Sequence, residues 1–313
     1  MTFKGKYYIF GGTDFITLYR TVKHSKQIRR LDDCEFTKIG ELDFEFTSGA
    51  CTVGSDKIYL AFGGNTSTNP FISKTQEMKN STSLTKLCYQ ASEPTAVFNK
   101  TESSFYEHSN INIASSDDNM LACGHGIYET KLERKVVVTH KKCEFLNLNT
   151  TSWKNVSDYV YPIFEAPVIF YRGQFMKSGF IIFGGSSIDS ISFASSRKHA
   201  DLFGIYWLDE ANPTKWIQLG RVTFARHAHK VVQFGNEFLV IGGATTKQTA
   251  KNKIRSNRCK FAKRKGTKFG IDCEDQSPVL ISTQKNFNKK TYDNKDYKSP
   301  LLIEVDKNFC IKK

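Results

Sequence analysis

The chain predicts an all-β fold built as an array of similar sheets. Three observations carry this. An apolar strand closed by a glycine pair recurs: YYIFGG ends at Gly12, IYLAFGG at Gly64, FIIFGG at Gly185 and FLVIGG at Gly243, with a degenerate NMLACGH ending at His125. The offsets are 52, 61, 60 and 58 residues, and a steady period of this size marks an array of repeated units. Phe (25) and Tyr (13) are abundant between glycines, which favours strands. No long segment sustains an apolar 3.6-residue period, so helices are not expected.

Taken in order, residues 1–12 hold one strand and its glycines, Gly11 and Gly12. Residues 13–33 are basic and irregular and read as a loop or an edge strand, so that 1–33 is a partial N-terminal blade or edge segment ahead of a main array over 34–310. Glu41 to Phe46 (ELDFEF) alternates polar and apolar, the pattern of a half-buried strand. Gly54-Ser55-Asp56 turns into a strand ending at Gly63-Gly64, and the polar stretch 65–83 reads as a long exposed loop. Leu84–Gln90 and Thr95–Asn99 are short strands. Asp117-Asp118-Asn119 turns into the strand ending at Gly124-His125. Lys135–His140, the run to Trp153, Ala166–Tyr171 and Gly179–Gly185 build the next unit, closing on Gly184-Gly185. The most regular unit runs from Asp201 through an Asn-Pro turn and Trp216 to a hairpin about Gly235-Asn236, closing on Gly242-Gly243. Shorter strands at 269–273, 279–283 and 300–305 finish a single domain over 1–313.

Composition narrows the partners. The net charge is +14, and residues 251–268 hold Lys251, Lys253, Arg255, Arg258, Lys260, Lys263, Arg264, Lys265 and Lys268 with no acid. Such a run is either a solvated loop or a polyanion site, for an acidic glycan, an anionic surface or nucleic acid. Only Phe261 interrupts it, too thin an aromatic interleaving for nucleic acid. No apolar run is long enough to span a membrane. Eight cysteines and five Asn-x-Ser/Thr sequons, at Asn65, Asn80, Asn99, Asn149 and Asn155, point to an extracellular, oxidising location. The start MTFKGKYYIFGG lacks a signal core, which points to the cytoplasm instead or to a start further upstream.

In order and approximate spacing, Asp201-Leu202, Tyr206-Trp207, Trp216, Arg226, His229 and Gly242-Gly243 resemble a repeat of the kelch β-propellers. Phe145, Trp153 and Gly184-Gly185 supply a second, weaker match. The resemblance is specific over 135–243 and implies a kelch-type β-propeller of five or six four-stranded antiparallel blades around a channel. It also implies that the glycine pairs, Trp153, Trp216, Arg226 and His229 are framework. The units here are longer than the roughly 50 residues of a kelch repeat. A propeller needs its ends joined, so Cys34 with Cys310 is a candidate staple and Cys259 with Cys273 a clasp on the basic segment. The alternative is buried free thiols.

No catalytic set emerges. His227 and His229, alternating on a strand, would face opposite ways. Cys123-Gly124-His125 does not orient a base against a nucleophile. Asp32-Asp33 and Asp117-Asp118 sit in polar turns without the burial that separates acid from base. Galactose-oxidase-like enzymes share the propeller resemblance, but their Tyr/His copper ligands find no match here, and no cofactor or metal site is expected. The reading is a non-enzymatic scaffold that binds a protein, or an acidic glycan, through its loops. The alternatives are the substrate-reading propeller of a cytosolic adaptor and, last, a propeller enzyme.

Overall fold

A computed structural model describes residues 1–16, 21–33, 35–47, 49–63, 86–131, 134–173, 175–188, 199–223, 225–234, 237–243, 256–263, 269–280 and 300–302. Among the described residues there is no α-helix. Sheet 1 contains β1 (Thr2–Phe3) and β2 (Lys6–Phe10). A separate hairpin of β3 (Thr13–Ile16) and β4 (Thr21–His24) follows, and β5 (Gln27–Asp32) and β6 (Glu35–Glu41) complete the sheet in the order β1-β2-β5-β6. Sheet 2 is β7 (Ala50–Gly54), β8 (Lys57–Ala61), β9 (Cys88–Ala91) and β10 (Asn99–Lys100). Sheet 3 is β11 (Ala114–Ser115), β12 (Asn119–Lys131), β13 (Arg134–Asn147) and β14 (Trp153–Asn155).

Sheet 4 is β15 (Val168–Tyr171), β16 (Gly179–Phe183), β19 (Gly204–Asp209) and β20 (Trp216–Arg221). The hairpin β17 (Ser186–Ile188) and β18 (His199–Asp201) is set between its second and third strands. Sheet 5 is β21 (Lys230–Phe234), β22 (Glu237–Ile241), β23 (Ser256–Lys263) and β24 (Phe269–Leu280), with β25 (Pro300–Leu302) parallel to β24. The outer strands of sheets 4 and 5 meet at one parallel bridge, Gly220 to Ile271. A Cβ on Gly220 would collide with the Ile271 carbonyl, so a residue without a side chain is required there. Successive four-stranded antiparallel sheets of this kind make a β-propeller-type fold.

The second strand of each sheet shows why the sheets stack. In β8, Ile58 and Leu60 pack with Phe10 and Ile28 of sheet 1 and with Phe46, while Tyr59 and Ala61 face Met120, Leu146 and Trp153 of sheet 3. In β12, Met120 and Ala122 face sheet 2, and Leu121 and Cys123 face Phe180, Ile182 and Leu208 of sheet 4. In β16, Phe180 and Ile182 face sheet 3, and Ile181 and Phe183 face Phe238, Val240 and Ile271 of sheet 5. Alternate side chains of a strand point to opposite faces, so an unbroken apolar run fills two layers at once. Each fully buried side chain of this size contributes roughly 1.5–3 kcal/mol. In β2 the alternation has one buried face only: Tyr8 and Phe10 are 8% exposed, Tyr7 and Ile9 46% and 42%.

Three expectations change. Residues 13–33 are neither loop nor edge, because Thr2–Glu41 forms a complete four-stranded sheet with β3–β4 as an added hairpin. The strand near ELDFEF is β6, and residues 42–47 follow it as coil, from which Leu42 and Phe46 (3% and 4% exposed) plug the layer between sheets 1 and 2. The basic segment is not one loop, since Ser256–Lys263 is a sheet strand paired on both sides.

Candidate binding face

Strand order dictates where the connections go. In each sheet the first strand runs to a tight turn and the second runs back, so the connection from second to third strand emerges at one end of the stack. The loop from each sheet to the next emerges at that same end. The second-to-third connections are long in sheets 1, 2, 4 and 5: 11–26, 62–87, 184–203 and 242–255. In sheet 3, β12 and β13 instead run on past the body as a paired hairpin, Gly126–Lys131 against Arg134–Thr139. The turns at the other end are short, such as Lys4-Gly5 and Ser55-Asp56. One face therefore carries a set of arms, among them the hairpins β3–β4, β12–β13 and β17–β18.

The glycine pairs stand at the base of these arms. Gly11, Gly12, Gly124, Gly184, Gly185, Gly242 and Gly243 all have positive φ, Gly63 does not, and Gly64 lies outside the described residues. At Gly185 (φ 105°) a Cβ would stand 2.6 Å from the Ala166 methyl, so both the backbone angle and the space demand glycine. In three of the pairs the second position donates its N–H to the next sheet's entry loop: Gly12 to Phe46 O (2.8 Å), His125 to Ile163 O (2.9 Å) and Gly185 to Arg226 O (2.9 Å). At His125 a β-bulge replaces the left-handed glycine, which lets a side chain stand there.

The entry loops themselves form a chain about the axis. Asn110, Glu165 and Ala228 occupy equivalent places with φ of 51°, 52° and 53°. Glu165 donates its N–H to Asn110 O (2.7 Å) and Ala228 donates to Glu165 O (2.9 Å). Lys230 Nζ donates to Asn112 Oδ1 (3.3 Å), and His227 Nε2 lies 3.8 Å from Glu165 Oε2. Because Ala228 is left-handed, His227 and His229 are not alternating strand residues. His229 is 1% exposed, and burial with the neighbouring Arg226 guanidinium pushes its pKa down to about 3. Arg226 is also buried and donates Nη1 to Gly242 O (3.0 Å).

Trp153 and Trp216 each brace a neighbouring segment. Trp153 donates Nε1 to Glu102 O (2.8 Å) and packs 5.8 Å from Phe62 of sheet 2. Trp216 donates to Ser157 O (3.0 Å) and meets Tyr159 edge-on at 4.9 Å.

The arm of sheet 3 has a chemically distinct base. Cys123 and Cys143, paired across β12 and β13, form a disulfide. The next pair, His125 and His140, stacks at 5.2 Å. Burial pushes His125 down to about 3 and His140 to about 4. His140 donates Nε2–H to Glu107 O (2.6 Å) and accepts from the Lys142 N–H at Nδ1 (3.2 Å), a neutral tautomer. Beside them lies a fully buried pair, His108 Nε2 to Glu144 Oε2 at 2.9 Å. Glu144 also accepts from the Phe105 and Tyr106 N–H groups, the donor set a carboxylate takes, while His108 Nδ1 donates to Gly124 O (2.7 Å). The adjacency of Cys123 and His125 was visible in the sequence. Their long-range partners, Cys143, His140 and Glu144, became visible only in the strand register.

A sheet strand divides the basic run. Cys259 and Cys273, directly opposed in β23 and β24, form the second disulfide, whereas Cys34 and Cys310 lie outside the described residues. Cys51 and Cys88 are free thiols. Lys251, Lys253 and Arg255 precede β23 in the sequence and Arg264, Lys265 and Lys268 follow it, and all six lie outside the described residues. Between them stand the eight residues of β23, roughly 23 Å at about 3.3 Å per residue. Within the strand, Arg258 is registered opposite Glu274 and Lys260 opposite Asp272, and Lys260 Nζ lies 3.5 Å from Glu237 Oε1. Lys263 ends the strand.

Two clefts lie off the arm face. One of about 520 Å³ is formed by the short turns of sheets 2 to 4, with Asp56, Ser116, Asp117 and Arg172, where Arg172 pairs with Asp117 at 2.6 Å. The other, about 580 Å³, lies between β20 and β24 beside Arg221 and Asp272. Among the described residues no group of three His, Cys, Asp or Glu side chains is placed to hold a metal ion, and no helix is long and apolar enough to cross a membrane.

No protein-family model matches the chain, and no curated protein matches it. Among solved structures, YjhT superposes with a TM-score of 0.64 at 14% identity, covering 87% of this chain and 82% of that chain. Likeness at this identity concerns the fold, and it agrees with the β-propeller-type arrangement of the sheets.

Proposed function

We propose that this chain is a secreted, kelch-type β-propeller that acts as a non-enzymatic binding scaffold, gripping a partner with the arm face. The observation that carries this reading is the placement of every long second-to-third-strand connection on one face of a stack whose interlayers are filled with apolar side chains. Binding residues concentrate on loops held by a rigid frame. The partner class that suits a chain of net charge +14 is acidic, a sulfated or carboxylated glycan or an acidic protein surface, with Lys251, Lys253 and Arg255, just ahead of β23 in the sequence, as the first candidates. Two disulfides between strand neighbours support an oxidising compartment over the cytosolic-adaptor alternative.

Retention on an immobilised acidic glycan tests this. Replacing Lys251, Lys253 and Arg255 with Gln is expected to lower the salt needed for elution, because exposed charges act through a screened field. The same change at Lys263, Arg264 and Lys265 is expected to leave elution unchanged. The reverse pattern would move the site to the basic residues that follow β23. No change in either variant would end the polyanion reading.

A further inference from the structure

We infer that Asn99, Asn149 and Asn155 are N-glycosylation sites, and that their glycans shield the outer rim of sheets 2 and 3. The inference rests on the secretory reading above and adds to it a modification with a defined place in the fold.

The argument begins with sheet edges. An outermost strand offers unpaired N–H and C=O groups, a template for pairing with another chain unless it is covered, charged or made very short. The five outer strands here are treated differently. Strands β20 and β24 cover one another through the Gly220–Ile271 bridge. Strand β6 is exposed over Glu35–Lys38 and carries the Lys38–Glu41 ion pair. The outer strands of sheets 2 and 3, β10 and β14, have neither cover nor an ion pair among the described residues. They are two and three residues long and carry Lys100 and Lys154, so a glycan there adds bulk to edges that shortness and charge already blunt. Each contains the asparagine of a sequon: Asn99-Lys100-Thr101 on β10 and Asn155-Val156-Ser157 on β14. The third, Asn149-Thr150-Thr151, occupies the turn leading into β14.

All three asparagines are exposed. Among the described residues, the side chains of Asn99 and Asn155 bond to no other group, and that of Asn149 meets only Asp118 Oδ1, at 3.4 Å. An oligosaccharide could therefore be accommodated at each without removing a packing or hydrogen-bond partner of the folded state. Buried asparagines, or ones holding a turn through the side-chain amide, would not allow this. The placement also leaves the arm face clear of these three glycans, because β10 and β14 lie on the rim.

The chemistry is a group transfer from a lipid-pyrophosphate-linked oligosaccharide, catalysed by the cell's own transferase. The asparagine Nδ2 forms a bond to the anomeric carbon of the sugar. The bond from that carbon to the pyrophosphate oxygen breaks, and the lipid pyrophosphate leaves with its electron pair while the amide gives up one proton.

The test uses the full chain, directed through the secretory pathway of a eukaryotic cell, and its thiol state. Peptide N-glycosidase in heavy-oxygen water should convert Asn99, Asn149 and Asn155 to labelled Asp. Each single Asn→Gln variant should lose one discrete mass step. Asn99→Gln with Asn155→Gln should shift the protein toward larger species in sedimentation, at concentrations where the glycosylated protein is monomeric. Unlabelled Asn99 and Asn155 in a protein with Cys123–Cys143 and Cys259–Cys273 formed would overturn this inference and leave the secretory reading standing. Free thiols at those four cysteines, with no label, would overturn both. Full glycosylation with an unchanged sedimentation profile in the double variant would overturn the shielding role. If the double variant fails to fold, the single variants still read both occupancy and sedimentation.

Discussion

A single buried histidine carries more physical information than its sequence neighbours suggest. His125, His140 and His229 are all held neutral, with pKa values of about 3, about 4 and about 3 against 6.5 for a free side chain. In each case burial is the first cause. An unfolded chain takes up these protons as pH falls below about 6.5, whereas the folded chain takes them up only near pH 3–4, so acid favours unfolding. The melting temperature is therefore expected to fall between pH 6.5 and 4.5. His125→Gln should make that fall shallower, and an unaltered slope would remove His125 from the account. At the same scale, Gly185→Ala forces a side chain into a φ of 105° and against Ala166, and should cost on the order of 1–3 kcal/mol in chemical denaturation. Gly242, with open space around its Cβ position, isolates the backbone part of that cost.

Elements come next, and here the buried His108–Glu144 pair ties the entry loop of sheet 3 to β13. His108→Ala would leave Glu144 buried with one hydrogen-bond partner gone, and is expected to lose about 1–3 kcal/mol of stability by denaturant unfolding. A loss below about 1 kcal/mol would mean that the loop, not the His108–Glu144 contact, holds the junction. Strand legibility followed the same physics. The strands ending in glycine pairs stood out because β8 and β16 each fill two apolar layers, β2 fills one, and the chain then turns through a backbone angle that glycine reaches freely. ELDFEF misled because Leu42 and Phe46 are buried at alternating spacing, but from coil. The basic segment misled in the opposite sense. Arg258-Cys259-Lys260-Phe261 alternates polar and apolar, with Cys259 buried and Lys260 exposed, yet the charge count drew attention from the period. The site was less legible than the fold. The arms are defined by which connections are long, and that grouping needs the strand order. Long-range pairs such as Cys123 with Cys143 need the register.

For the molecule as a whole, the strand β23 inside the basic run changes how its +14 charge is read. A contiguous run in sequence is divided by a sheet strand, whose Arg258 and Lys260 are registered opposite Glu274 and Asp272 of β24. A partner of one chemistry can then be assigned to one part of the run, and the paired column variants distinguish the parts directly. The rim, with its candidate glycans, and the arm face divide the surface into a part kept apart from other chains and a part offered to them.

The one-sided burial of β2 has a kinetic consequence. Four filled layers serve five sheets among the described residues, and the side of sheet 1 bearing Tyr7 and Ile9 meets no layer. In a stack stabilised by nearest neighbours, a unit flanked on one side opens more readily than one flanked on both. Amide exchange with deuterium should therefore be graded along the chain: slowest at Met120–Ala122 and Phe180–Ile182 in the middle sheets, fastest at Tyr8–Phe10. A uniform rate across the five sheets would mean that the array breathes as one body rather than from its end.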